Sequence, residues 1–347
     1  MFDGLMPWVA YHAHRIPEAI VRGGFLAGAD FAWLLRVGGV RQLERNLAHV
    51  LAWRDAQENG GEADPSAVDR RRLRKLSRQG MRSYFTYFSE ALTVAGRTKE
   101  QLMARVRGDG DGLASLIELT NPSHGDGSAP IAMGHQGNWD YDGFWAQFAV
   151  APVTTVAERL ADERTLRMFI DIRESLGIRI LLTGTPHLTG LLEEALRDPH
   201  TLVPLLADRD LGRNGEFVEA FGSTIRVARG PATLAYDTGR PLYVVNTVRE
   251  TLHGERRKRA GTPNGYVCVV SGPVDVTPYL DLPREEAIRA ISQAWVDMWA
   301  RGIADAPQDW HMLQPLFLED LDLSRMHAVP AEVVARREAM DRARGER

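Results

Sequence analysis

Residues 130–140 read Pro130-Ile-Ala-Met133-Gly-His-Gln-Gly-Asn-Trp-Asp140, an apolar run that leads into a glycine-flanked histidine. A short apolar run of this kind is typical of a buried strand, and Asn138 is a suitable N-cap for a following helix. The glycines on both sides of His135 predict a tight turn that exposes the imidazole above a sheet edge. Asp140 then falls in the first helical turn, where a carboxylate is favoured.

Further apolar runs alternate with helical segments after this turn. This alternation predicts an α/β fold in which helices flank a central, mostly β-sheet core. A helix over 284–302 is expected to close the core, which we place at residues 129–320. The predicted strands are 130–133, 153–156, 178–182, 201–206, 242–248 and 266–270. The remaining regions are an N-terminal amphipathic helical segment at 1–54, a helical region at 55–128 and a tail at 321–347.

The N-terminal segment carries large apolar residues at helical spacing. Glycine pairs at 23–24 and 38–39 divide it into two or three predicted short helices. These helices either pack on the core or dip into a lipid headgroup layer while arginines contact anionic lipid, and both interpretations stay open. The residues of the lipid interpretation are Trp8, Phe25, Phe31, Trp33, Leu34, Leu35, Arg15, Arg22, Arg36 and Arg41.

Bulk composition is that of an ordinary globular protein, with 44% hydrophobic residues and a net charge of -4. This charge disfavours nucleic acid as the main partner.

No apolar run reaches the ~18 residues of a membrane span, and the start lacks the pattern of a signal peptide, so we expect a cytoplasmic protein. Arginine greatly outnumbers lysine, as in the GC-rich genomes of actinobacteria. The single cysteine, Cys268, lies in an apolar stretch and is predicted to be a buried thiol.

The His135 turn can support general-base chemistry. A carboxylate on one ring nitrogen fixes the imidazole tautomer and raises the basicity of the other nitrogen. Across a loop-to-helix turn Asp140 can fold back onto His135, so we predict that Asp140 orients the base. The chain contains no Gly-x-Ser-x-Gly, Walker A, dinucleotide, His-Glu-x-x-His or Cys-x-x-Cys pattern, and no metal site is predicted. The sequence 108–112 lacks the glutamate of a calcium loop and indicates a flexible turn.

The His135-x-x-x-x-Asp140 motif resembles that of the lysophospholipid-type acyltransferases. Further segments match, in order, the branch of late lipid A acyltransferases and actinobacterial phosphatidylinositol mannoside acyltransferases. The resemblance covers about residues 40 to 320. The last segment is most similar to the mannoside enzymes, whereas Asp208 stands where these tend to carry glutamate. The matching segments are 156–160, 169–177, 206–215, 230–239 and 307–315.

The resemblance implies a glycerolphosphate acyltransferase-like fold and a peripheral enzyme on the cytoplasmic face of the plasma membrane. It implies transfer of a long acyl chain from acyl-CoA, as donor substrate, to a mannose hydroxyl of a phosphatidylinositol mannoside. No bound cofactor is implied. The catalytic residues would be His135, Asp140 and Asp208, with Asp208 against the imidazole or the acceptor sugar. The implied substrate-binding residues are Glu158, Arg159, Arg173, Arg213, Asn214 and Asp237.

Two alternatives stay open. One is a lipid A type acyltransferase that uses acyl carrier protein, and the other is a catalytically silent lipid-binding homologue. The basic segment Glu255–Arg259 is predicted to be a solvated hairpin tip, with coenzyme A phosphates or anionic headgroups as its alternative partners.

Overall fold

The structure is a computed structural model that describes residues 15–159, 162–210, 214–327 and 329–345. Its strands are β1 (Val106–Asp109), β2 (Ala129–Met133), β3 (Thr154–Ala157), β4 (Arg179–Leu182), β5 (Leu202–Leu206), β6 (Glu216–Ala220), β7 (Ser223–Val227), β8 (Leu242–Thr251) and β9 (Asn264–Val274). Its α-helices are α1 (Glu18–Leu35), α2 (Val40–Asn59), α3 (Arg70–Thr93), α4 (Lys99–Arg105), α5 (Leu113–Thr120), α6 (Trp139–Ala149), α7 (Glu163–Ser175), α8 (Leu188–Arg197), α9 (Gly230–Thr238), α10 (Gly254–Ala260), α11 (Arg284–Asp305) and α12 (Ala331–Gly345).

The central sheet is mixed, with the strand order β1-β9-β8-β2-β5. β2 is parallel to both β5 and β8, whereas β9 is antiparallel to β8. The parallel pair β3 and β4 extends this arrangement, because Val153 bridges to Leu202 at the start of β5. The carboxyl ends of β2, β5 and β8 therefore meet at one edge, the edge at which open α/β sheets usually bind ligands.

Helices cover both faces of the sheet, and alternate strand residues contribute to two cores. Ala132 and Val244 face a core that contains Trp295 of α11, which is fully buried. Ile131 and Val245 face a second core that contains Phe144 of α6. This two-residue alternation is the expected geometry of a strand covered on both sides, and it confirms the predicted α/β class with helices around a sheet.

All six predicted strands are present, with ends shifted by a few residues. Two further features were not predicted. β1 lies in a stretch rich in glycine and aspartate, residues that are depleted in strands. In the β6–β7 hairpin the turn residues Phe221 and Gly222 have φ of 53° and 74°, as tight two-residue hairpins require. Phenylalanine at the first turn position conceals the usual sequence signal.

Two local predictions were wrong. α1 runs without interruption through Gly23 and Gly24, because a glycine inside a helix costs only about 1 kcal/mol relative to alanine. The other predicted break is present at Gly38 and Gly39, which have φ of 60° and 81°. The segment Glu255–Arg259 lies in α10 and is not a hairpin tip. Its acidic first turn and basic last turn complement the helix dipole.

Cys268 is buried, as predicted. Among the described residues, no helix is both long and apolar enough to cross a bilayer.

Candidate active site

The His135 turn lies at the carboxyl end of β2, where it leads into α6. Asn138 caps α6 by accepting a hydrogen bond from the Tyr141 N–H at 3.1 Å. Gly134 permits a close approach, because a Cβ there would lie 2.5 Å from Trp299 Nε1 and 3.0 Å from an oxygen of Asp208. The predicted strand, turn and helix are therefore present, with His135 at the junction.

Asp208 is the carboxylate that holds His135. It follows β5, the neighbour of β2, and is fully buried. Its Oδ1 lies 2.6 Å from His135 Nδ1, and its Oδ2 accepts hydrogen bonds from the His135 backbone N–H at 3.0 Å and from Trp310 Nε1 at 2.9 Å. With Nδ1–H donating to this carboxylate, the second ring nitrogen, Nε2, carries the lone pair.

The charge state of Asp208 matches this arrangement. Burial by itself raises the pKa of Asp208, but the neighbouring His135 and the hydrogen bonds from His135 and Trp310 outweigh burial. The pKa of Asp208 is therefore held below its usual value. An ionised Asp208 can stabilise the imidazolium that forms when His135 takes a proton.

Asp140, which was predicted to orient His135, contacts other partners. Its Oδ1 accepts a hydrogen bond from Arg173 Nε at 2.7 Å, and its Oδ2 accepts one from the Tyr87 hydroxyl at 2.9 Å. No hydrogen bond joins Asp140 to His135 in the part of the chain that the structure describes. The geometry of α6 explains this difference. Trp139 packs edge-on against His135, with ring centres 5.5 Å apart, and the next residue points about 100° away around the helix.

The other candidate residues are dispersed. Glu158 and Arg159 follow β3 and are exposed, and the Arg159 N–H donates to Thr183. Asn214 is also exposed. Asp237 forms an ion pair with Arg284 at the start of α11, which is a structural contact. Arg213 lies outside the described residues. Arg173 is the member of this set that reaches the His135 region, through Asp140.

The segment Asp309–His311 holds the turn from the other side. The Gly137 N–H donates to the Asp309 carbonyl at 2.8 Å, and the His311 N–H donates to the His135 carbonyl at 2.7 Å. Sequence reasoning placed this segment in a family motif but did not assign Trp310 to Asp208. The spacing of 102 residues between these two partners gives no local signal.

Glu90 of α3 fixes the cap of α6. Its buried carboxylate accepts hydrogen bonds from Asn138 Nδ2 at 2.8 Å and from the Tyr266 hydroxyl at 2.6 Å. Because the Asn138 amide nitrogen faces Glu90, its oxygen must face the start of α6. Glu90 was not among the predicted site residues, because in the sequence it is one acidic residue on an amphipathic helix.

The site thus contains a histidine with one nitrogen held by a buried carboxylate and the other free to accept a proton. The His135 side chain is 22% exposed, so a substrate hydroxyl can reach it. Within the described ranges, no group of three or more His, Cys, Asp or Glu side chains is arranged to bind a metal ion. This geometry is suited to general-base activation of a hydroxyl.

Comparison with known proteins agrees with this chemistry. Residues 13–319 match the family model of bacterial lipid A biosynthesis acyltransferases. The chain is 37% identical over 319 residues to a phosphatidylinositol mannoside acyltransferase of Mycolicibacterium smegmatis, with 89% of each chain covered. It is 36% identical over 323 residues to the protein of the same name in Mycobacterium tuberculosis, with 92% of this chain and 88% of the relative covered.

Proposed function

Because the chain belongs to the bacterial lipid A biosynthesis acyltransferase family, we propose that this acyltransferase moves a long acyl chain from acyl-CoA to a mannose hydroxyl of a phosphatidylinositol mannoside. The observation that carries the chemistry is the His135–Asp208 pair at the carboxyl edge of the sheet. The relatives' names support the choice of acceptor.

The reaction follows from the state of His135. Its Nε2 removes the proton from the acceptor hydroxyl as that oxygen attacks the thioester carbonyl, which gives a tetrahedral intermediate. The C–S bond then breaks, and the imidazolium returns its proton to the departing thiolate. The products are an ester and free coenzyme A, so no covalent acyl-enzyme is needed. Asp208 keeps Nδ1–H in place and stabilises the transient positive charge.

The ion pair between Asp140 and Arg173 borders the site and stabilises the aromatic residues beside His135. The two side chains are 10% and 17% exposed, and the Tyr87 hydroxyl completes the cluster. Tyr87 also packs against Trp139, with ring centres 4.1 Å apart, and Trp139 contacts His135. Asp140 therefore positions the aromatic side of the site and acts on His135 only through its neighbours.

Membrane association is part of the proposal, with α1 as the docking element on the cytoplasmic face. Ile20, Phe31 and Leu34 are 65%, 63% and 66% exposed and lie on one face of the helix with Leu35. We call these four residues the apolar stripe. Such a stripe suits the boundary between headgroups and acyl chains.

The opposite face of α1 is anchored to the protein. Buried Glu18 accepts a hydrogen bond from Arg105 Nη2 at 2.7 Å, and Trp33 Nε1 donates to Ser77 at 3.0 Å. Phe25 packs against Phe85. Phe25, Trp33 and Arg22, all grouped with the lipid-facing residues in the sequence analysis, therefore face the protein. Trp8 lies outside the described residues.

The experiment that tests the proposed reaction supplies purified protein with palmitoyl-CoA and a mannosylated phosphatidylinositol in mixed micelles. We expect an acylated glycolipid and one equivalent of free thiol. Parallel reactions replace the donor with palmitoyl acyl carrier protein or the acceptor with a lipid A precursor. Transfer only to the lipid A precursor, or only from the carrier protein, would refute the proposed acceptor or donor while leaving acyl transfer intact.

A further inference from the structure

We propose that Trp139 Nε1 and His311 Nδ1 form a hydroxyl-binding pair beside His135, which holds the sugar hydroxyl next to the one that is acylated. This inference rests on the proposed transfer to a sugar and specifies how the acceptor is oriented. The evidence for it is two buried polar atoms, one a hydrogen-bond donor and the other an acceptor. Neither has a protein partner in the described ranges.

The tautomer of His311 follows from its neighbours. The Ser83 hydroxyl donates to Asp309 Oδ1 at 2.9 Å, and Ser83 Oγ lies 3.1 Å from His311 Nε2. Because the single hydroxyl proton is directed at Asp309, the Ser83 oxygen must accept from His311 Nε2–H. Nδ1 of His311 is therefore a bare lone pair, that is, a hydrogen-bond acceptor.

The electrostatic environment keeps His311 in this state. Burial, together with repulsion from His135 and Arg249 and against the opposing effect of Asp208, lowers the pKa of His311 to about 3. The ring is 6% exposed. His311 therefore stays neutral throughout the working pH range and cannot replace His135 as the base, but it can accept a hydrogen bond.

Trp139 supplies the complementary donor. Its ring packs edge-on against both histidines, with centres 5.5 Å from His135 and 6.0 Å from His311. An indole N–H has donor character only. Tyr84, whose ring centre is 5.5 Å from that of His311, adds an aromatic surface. Buried polar groups almost always find partners, so a donor and an acceptor left over together indicate a bound group that offers both.

A sugar with neighbouring hydroxyls meets this requirement. One hydroxyl gives its proton to His135 Nε2 during attack. The adjacent hydroxyl donates to His311 Nδ1 and accepts from Trp139 Nε1. This two-point contact turns the reacting oxygen toward the thioester, which a fatty alcohol with a single hydroxyl cannot reproduce. The competing occupant is a buried water molecule, which the experiment must distinguish.

The test compares wild type with His311→Phe, using methyl mannoside and the set of its monodeoxy derivatives as acceptors with palmitoyl-CoA. We expect His311→Phe to lower kcat/KM for the full mannoside about tenfold, the usual scale for one lost buried hydrogen bond. One deoxy acceptor should lose a similar factor with wild type and lose almost nothing more with the variant. The same substitution at exposed His124, in the loop before the amino end of β2, is the matched control.

A measurement on the wild-type protein keeps the inference testable if His311→Phe folds poorly. In protein labelled with ¹⁵N-histidine, the unprotonated Nδ1 resonance of His311 should shift upfield when methyl mannoside is added. Independent losses with every deoxy acceptor, or a resonance that mannoside leaves in place because water is the partner, would overturn the inference. Failure of the proposed function is distinct, because wild type would then transfer no acyl chain to any mannoside.

Discussion

Asp140 and Asp208 both border the His135 turn, but they have different partners. Asp208 holds the imidazole and the Trp310 indole, whereas Asp140 neutralises Arg173. The sequence contains a strong local signal for Asp140, five residues from His135. It contains no local signal that β5 brings Asp208, 73 residues away, to the imidazole. Family resemblance implied that Asp208 contacts either the imidazole or the acceptor sugar, and the geometry supports the imidazole. Its catalytic weight stays a prediction.

Substituting each aspartate with asparagine should separate these roles. We expect Asp208→Asn to lower kcat about a hundredfold with little change in melting temperature, because the imidazolium loses its counter-charge. Asp140→Asn should instead destabilise the fold by about 3 kcal/mol, because a mostly buried Arg173 loses its ionic partner. Steady-state kinetics and urea unfolding of both variants measure the contrast. The reverse pattern would assign the imidazole to Asp140.

Asp142 provides a pH-dependent prediction. Burial raises the pKa of Asp142 to about 7, against the opposing effect of its hydrogen bonds with Thr247 and Cys268. The folded-state pKa lies above the unfolded value of 3.8. The contribution of Asp142 to the free energy of unfolding is therefore complete below about pH 4. It is lost progressively as the pH rises through about 7, by up to about 4 kcal/mol.

Asp142→Asn should remove this loss, because the amide has no charge to bury and its oxygen can still accept the hydrogen bond from the Thr247 hydroxyl. We expect the variant to unfold at higher urea concentration than wild type at pH 8.5 and to show no such gain at pH 5. A variant less stable than wild type at both pH values would show that Asp142 is ionised and paired in the folded protein.

At the scale of elements, α1 joins the proposed membrane surface to the protein interior. Its stripe cannot be tested cleanly by deletion, because deletion would leave Arg105 buried without Glu18. We predict that the triple variant Ile20→Ser, Phe31→Ser, Leu34→Ser keeps its fold and loses most of its co-sedimentation with anionic liposomes. Transfer to a water-soluble mannoside should change little.

The matched control changes two exposed leucines outside α1, Leu280 and Leu282, to serine. If both variants bind liposomes as wild type does, the apolar stripe is not the docking surface. If both lose binding equally, general surface apolarity rather than α1 is responsible.

Some helices and strands could be predicted from the sequence and others could not. Strands buried on both faces, such as β2 and β5, produce apolar runs that stand out from the helices between them. α10 was missed because its charged residues suit an exposed turn as well as a short helix. The β6–β7 hairpin was missed because Phe221 adopts a backbone conformation that usually indicates glycine or asparagine. Local rules therefore fail where neighbouring packing determines the backbone.

At the scale of the whole molecule, three distant parts of the chain converge on one turn. His135 follows β2 and Asp208 follows β5. In the segment after α11, Trp310 binds Asp208 and the His311 N–H binds the His135 carbonyl. The fold class and His135 could be predicted because their signals are local or repeated. Local patterns could not predict the partners of His135, because parallel strand order decides which loops meet at the sheet edge. Asp208 was anticipated through family resemblance alone, and Trp310 was not assigned.

One measurement tests directly whether this molecule transfers acyl groups through His135. It is single-turnover transfer from palmitoyl-CoA to the mannosylated acceptor by wild type and His135→Ala, with thermal melting and acyl-CoA binding measured on the same preparations. Loss of the general base should slow transfer by at least about two orders of magnitude, while melting and acyl-CoA binding largely persist. Near-normal transfer by a folded His135→Ala protein would contradict the mechanism.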